Sequence, residues 1–161
     1  FSQITIAPFW ELPVEEWQSA MRVNIDGAFF CSRAVVPVMQ ERKWGRVLAI
    51  TSISVRQPIP NIMLSNTARA GATGFLKTLA LEVAKDGVTV NSIQPGFHAT
   101  DRVTCIYGDA DLHELAKTVP AGKIGKAEDF GQVAAFLCSE QAGYITGAAL
   151  PVAGGTYKGL Q

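Results

Sequence analysis

Histidine and cysteine are scarce in this chain, with two and three residues among 161 and no Cys-x-x-Cys pair. Structural zinc sites need closely spaced clusters of those side chains, so no metal site is expected. Cys31, Cys105 and Cys138 are odd in number and widely scattered, which excludes a disulfide framework. They read as reduced thiols filling apolar space in a cytoplasmic protein. Net charge is missing too: 14 basic and 14 acidic residues cancel. No electrostatic footprint for nucleic acid or an anionic membrane surface follows from such a balance. Apolar runs such as Ala134–Cys138 fall far short of a membrane span. The opening residues have neither the basic region nor the apolar stretch of a secretory signal. An initiating methionine is also lacking; Phe1 opens the chain, which reads as a fragment or a processed product.

What is present is an apolar, sparsely charged composition, 48% and 17% of residues, typical of one domain with a well-buried core. Pro8 and Pro13 fix the entry to a helix whose first turn suits Glu15 and Glu16. Trp17, Met21 and Val23 start an amphipathic pattern that resumes with Phe29, Phe30, Ala34, Val35 and Val38. Gly27 weakens its middle, so two helical pieces meeting near Asn24 are expected, ending by Lys43-Trp44-Gly45. The run 46–51 has the β-branched, apolar character of a strand covered on both faces. A Pro-rich stretch at 58–60 precedes a helix over about 62–84. Its early Ala68, Ala70, Gly71, Ala72 and Gly74 permit close approach to a neighbour. Gly87 leads into a second strand, 88–94, ending at Pro95-Gly96. A loop and short helix over about 97–119, an amphipathic helix over about 127–139, and a last strand at 148–152 complete the chain. This alternation implies an α/β fold, a parallel sheet with right-handed crossovers.

Four strings stand in order along that scaffold: Val23-Asn24-Ile25-Asp26-Gly27, the strand ending in Ser52, Val90-Asn91-Ser92-Ile93-Gln94-Pro95-Gly96, and Tyr144-Ile145-Thr146-Gly147. Together they make the chain resemble the C-terminal half of a short-chain dehydrogenase/reductase. The resemblance implies a partial doubly wound, Rossmann-like parallel sheet of three strands with flanking helices. Residues 1–161 would form a single domain without the N-terminal cofactor-binding half. It further implies NAD or NADP as cofactor, and hydride transfer to or from a carbonyl or secondary alcohol carbon of a small molecule, in the manner of a 3-oxoacyl reductase. In the family Asn24 would help hold a relay water, or, read alone, caps a helix break. Ser52 would bond the substrate oxygen, or merely cap a turn as Ser54 could. Pro95 and Gly96 would turn the chain beside the nicotinamide, with the backbone at His98 and the hydroxyl of Thr100 contacting it. The His98 side chain itself reads as solvated. The segment 97–119, with Tyr107, Asp109, Asp111 and His113, would cover the substrate pocket. Helices about 25–42 and 62–84 resemble the pair that builds the family's homodimer or homotetramer.

Two departures from the family pattern matter. The family places Tyr and Lys four residues apart at the start of the helix after Ser52; here Ser65 and Arg69 occupy those places, thirteen and seventeen residues beyond Ser52. A divergent branch carrying Ser-Asn-x-x-Arg is similar. A serine hydroxyl is a far weaker acid than a phenol, and arginine stays charged, so Ser65 or water would stand in for the phenol while Arg69 would hydrogen-bond the ribose or hold an anion. The second departure is the missing Thr-Gly-x-x-x-Gly-x-Gly turn that holds the cofactor pyrophosphate. Both departures also fit another reading, a non-catalytic scaffold or oligomerisation module.

Overall fold

Pro8 and Pro13 are themselves extended, a 3-10 turn at Phe9–Glu11 lies between them, and the first α-helix starts immediately after Pro13. In the computed structural model, residues 5–160 are described, without the side chains of 102 and 104–110; Cys105, Tyr107 and Asp109 therefore lie outside the described side chains. Helix α1 (Val14–Met21) passes through a π turn, Arg22–Asp26, straight into α2 (Gly27–Glu41). The expected break near Asn24 is thus a widened turn within one continuous helical run. One extra residue per turn is accommodated there without losing the backbone ladder. Lys43, with φ of 54°, takes the left-handed turn that ends the run and delivers the chain to β1 (Gly45–Ile50).

A short 3-10 turn, Ile53–Val55, and a proline loop lead to α3 (Met63–Val83). Strand β2 (Val88–Pro95) follows, then β3 (His98–Ala99), α4 (Asp101–Thr118), β4 (Gly125–Lys126), α5 (Ala127–Leu137) and β5 (Ala149–Val152). The three longer strands form one sheet in the order β1-β2-β5, all parallel. Gly45 through Ile50 pair with Val88 through Ile93, and Ser92 through Pro95 pair with Ala149 through Val152. β3 and β4 make a separate two-stranded parallel ladder, which the sequence pattern does not announce. Nor is the expected short helix short: α4 runs 18 residues, capped by Thr100, whose hydroxyl accepts from the Val103 amide.

The core lies between the sheet and α2/α3. Val36, Leu76, Ala80 and Val83 close over Val88 and Val90, with Val47, Ala49 and Phe75 packed around them. Alternation along a strand puts Val88, Val90, Ser92 and Gln94 on this helix-covered face. β1 is an edge strand, and Ile50 at its end is 59% exposed. Phe29, Phe30, Val35 and Val38 leave an apolar face on α2 open as well. The cysteine expectation is corrected: Cys31 and Cys138 are exposed, because both fall on the outward faces of their elements.

Candidate active site

α3 runs antiparallel to β2 beneath it, so its first turns arrive at the carboxyl ends of β1 and β2. In open α/β sheets that end is where ligands bind. Arg69 is fastened there: its Nε donates to Ser65 Oγ at 3.2 Å, and its Nη1 donates to the carbonyls of Ile50 and Thr51, both at 3.2 Å. Because the Thr51 carbonyl shares its peptide group with the nitrogen of Ser52, the Ser65–Arg69 pair and Ser52 are one neighbourhood. All three side chains are half-buried. Ser52 Oγ accepts from the Ser54 amide at 3.1 Å, capping the 3-10 turn; its proton remains available for a substrate oxygen. Turn cap and substrate contact are compatible in this geometry.

Asn66 donates through Nδ2 to the Ile59 carbonyl at 2.8 Å and so pins the proline loop to the start of α3. Beside that loop lies an open groove of about 510 Å³ lined by Ser54, Val55, Pro58, Ile59, Met63 and Thr67. It begins two residues after Ser52, apolar for most of its lining and polar at Ser54, Asn61, Asn66 and Thr67.

Asn24 sits in the π turn, where its Nδ2 donates to the Ala20 carbonyl at 2.9 Å, a bond within the helix and not a cap. The π turn crosses α3 at Gly71, where an added Cβ would meet Ile25 Cδ1 at 2.7 Å. Of the small residues of α3, Gly71 is the one that lets the Asn24 segment approach within one turn of Arg69. No bond joins Asn24 to the Ser65–Arg69 pair among the described contacts.

Pro95 and Gly96 end β2 at the same edge. The Gly96 amide donates to the Val152 carbonyl at 3.0 Å, and a Cβ at Gly96 would fall 2.9 Å from the Ala153 Cα, so only glycine lets β5 come this close. His98 is not solvated, as expected, but half-buried, its ring edge-on to Phe130 at 4.9 Å and its Nδ1 3.4 Å from the Gly96 carbonyl. The hydroxyl of Thr100 is engaged in capping α4. Ser52, Ser65 and Arg69 are thus brought together and Pro95–Gly96 stand on the adjacent strand end, while the bonds that Asn24, His98 and Thr100 make among the described residues go elsewhere.

The sequence strings at 90–96 and 144–147 also explain each other. Asn91 donates to the Ile145 carbonyl at 2.7 Å and accepts from the Ala148 amide at 3.0 Å, while Thr146 Oγ1 accepts from the Val90 amide at 3.1 Å. These bonds set β5 against β2. The residue missed by pattern reasoning is Gln94, which is fully buried with neither side-chain polar atom partnered. Its signal was a carboxamide in an otherwise covered strand.

A nicotinamide cofactor fits part of this chain. The polar side chains and the close glycine approach at the strand ends suit its nicotinamide–ribose portion. A glycine-rich strand-to-helix turn for its pyrophosphate occurs nowhere in the 161 residues. No group of three or more metal-ligating side chains exists among the described residues, and no described helix is long and apolar enough to cross a membrane.

Comparison with known proteins agrees with this architecture. A family profile described as Enoyl-(Acyl carrier protein) reductase matches residues 2–157. The 3-oxoacyl-[acyl-carrier-protein] reductase of Haemophilus influenzae is 41% identical over 143 residues, covering 89% of this chain and 59% of that protein. Dehydrogenase/reductase SDR family member 4 of Bos taurus is 34% identical, covering 99% of this chain and 59% of that protein. The crystal structure of YwfH, an NADPH dependent reductase involved in bacilysin biosynthesis, superposes with a TM-score of 0.91 at 25% identity, over 96% of this chain and 63% of that one. The chain spans about 59% of the length of these two curated relatives. With a parallel three-stranded sheet, a serine at the end of β1, and a profile match over nearly its whole length, the chain belongs to the short-chain dehydrogenase/reductase family.

Proposed function

We propose that the protein carrying this chain is an NAD- or NADP-dependent oxidoreductase acting on a carbonyl or secondary alcohol, with a 3-oxoacyl-type substrate. The observation that carries this reading is the convergence of Ser52, Ser65 and Arg69 at the carboxyl end of β1, tied by the Arg69 bonds to Ile50 and Thr51. When bound, the nicotinamide supplies or accepts a hydride. Ser52 donates its hydroxyl proton as a hydrogen bond to the substrate oxygen and draws electron density toward it. Arg69 fixes Ser65 and places a permanent positive charge beside the ribose. Pro95, Gly96, the His98 backbone and Thr100 line the nicotinamide side, and Asn24 lies one helical layer behind. The groove beginning at Ser54 suits the apolar body of an acyl substrate, since Val55, Pro58, Ile59, Pro60, Met63 and Ala70 make most of its lining. Kinship with the 3-oxoacyl-[acyl-carrier-protein] reductase supports the substrate class, and likeness to the NADPH dependent reductase YwfH supports NADPH among the two cofactors.

The experiment is turnover: NADH and NADPH oxidation by the purified full-length protein with a panel of ketones and 3-oxoacyl thioesters. Turnover with at least one pair is expected. Failure with every pair, together with no cofactor binding by calorimetry, ends the enzyme reading.

A second reading, a scaffold that retains the fold without the chemistry, is favoured by one observation. Arg69 already spends three hydrogen bonds on Ser65 and the β1 carbonyls, a structural tie in its own right. Under that reading Ser65→Tyr with Arg69→Lys creates turnover in a protein that has none.

A further inference from the structure

Gln94 has no partner where one is required. It is 0% exposed, and both Oε1 and Nε2 lack hydrogen bonds among the described residues. A buried carboxamide left in that state costs the full desolvation of two polar groups, which native interiors rarely tolerate. Position tells what the group faces. Gln94 shares the helix-covered face of β2 with Val88 and Val90, which pack against Val83, Ala80 and Leu76. Strand and helix run antiparallel, so six residues of strand (about 20 Å) match fourteen residues of helix (about 21 Å) and bring Gln94 under the turn of Ala68 and Arg69. Ala68 there is fully buried and only a methyl group deep, and Ala72 is the next small residue along. The β1 neighbour at this level is Thr51, whose amide bonds the Ile93 carbonyl and whose own carbonyl receives Arg69. Ser54, 1% exposed with an unpartnered Oγ, follows shortly after. Near the Ser65–Arg69 turn two buried polar side chains, Gln94 and Ser54, are therefore short of partners among the described residues.

We infer that the Gln94 carboxamide binds an ordered water beneath this turn, and that this water carries the proton which a phenol at position 65 would otherwise handle. The proton role rests on the oxidoreductase reading given above; the hydration site does not. In the reductive direction a reduced nicotinamide, when bound, would supply a hydride to the carbonyl carbon and leave an alkoxide. The water gives that oxygen a proton, directly or through the Ser65 hydroxyl, and the hydroxide left behind regains one from solvent. Gln94 never ionises. Its Oε1 accepts from the water and its Nε2 donates to it, so the carboxamide holds the molecule in place through both states, as a positioning residue.

The test pairs Gln94→Met, close in shape and apolar, with Gln94→Asn, which keeps the carboxamide. A high-resolution crystal structure of the wild type is expected to show a water bonded to the Gln94 carboxamide, absent in the Met variant. In turnover, Gln94→Met is expected to lower kcat about tenfold or more with KM changed less than about twofold, and to alter the solvent deuterium isotope effect on kcat. Gln94→Asn is expected to recover part of the rate, and it decides the matter if the Met variant does not fold. A carboxamide paired to protein with no water overturns the inference. So do unchanged kcat and isotope effect in a folded Met variant of an active enzyme. A wild type without turnover defeats the oxidoreductase reading and the proton role together, and the density at Gln94 still decides the hydration site.

Discussion

At Gly87 the chain leaves the end of α3 for β2 with φ of 75°, and an added Cβ would stand 2.2 Å from the Lys43 carbonyl oxygen. Both the left-handed backbone and the close approach exclude a side chain there, and neither can relax without moving the start of β1, whose Gly45 amide bonds the Gly87 carbonyl. Gly74 is the opposite case, a mid-helix glycine with nothing within 4 Å of the Cβ position. Urea unfolding should separate the two. Gly87→Ala is expected to lose about 1–3 kcal/mol, by strain at a special backbone conformation. Gly74→Ala is expected to gain about 0.5–1 kcal/mol, by helix propensity alone. The two glycines look alike in the sequence; only their backbone angles and neighbours tell them apart.

Between elements, one ionic clip ties the end of the α2 region to the end of α3. Asp86 accepts from Lys43 Nζ and from Gln40 Nε2, each at 2.7 Å. Those hydrogen bonds, Lys43 first, hold the Asp86 carboxyl below the ordinary aspartate value. A group whose folded pKa is depressed stabilises the fold fully above its unfolded value of ~3.9 and loses that contribution as pH falls through the lowered folded value. Asp86→Asn is therefore expected to reduce thermal stability at neutral pH relative to wild type, with the gap closing only in acid below the ordinary aspartate range. A gap that stays constant with pH would show that the charge contributes nothing. At this scale the sequence was largely readable. The strands at 46–51, 88–94 and 148–152 and the helix at 62–84 came within a residue or two of β1, β2, β5 and α3. Their apolar periodicity is local, and local patterns survive without knowledge of neighbours. The π turn at Asn24 and the β3–β4 ladder were not readable, because one depends on α3 crossing at Gly71 and the other on a pairing across 27 residues.

At the scale of the whole chain, the apolar face of α2 is the feature that bears on assembly. Phe30 is 62% exposed, with Phe29 edge-on beside it at 5.5 Å, and Val35 and Val38 continue the face. Contiguous apolar surface of this kind favours burial against another chain. We expect a dimer or tetramer through α2 and α3, measured by sedimentation, with Phe30→Glu shifting the population toward monomer. A monodisperse monomer at working concentration would refute that assembly.

Composition, four short strings and the period of apolar residues were enough to determine the family, the parallel α/β sheet and the place of Ser52, Ser65 and Arg69 along it. Those features are carried by local pattern and by order along the chain. The tie of Arg69 to the β1 carbonyls, the burial of His98 against Phe130 and the unpartnered carboxamide of Gln94 were decided only by the tertiary structure. Each depends on which elements meet at the strand ends, and a hydrogen-bond donor or acceptor acquires its role only when packing has chosen what lies across from it.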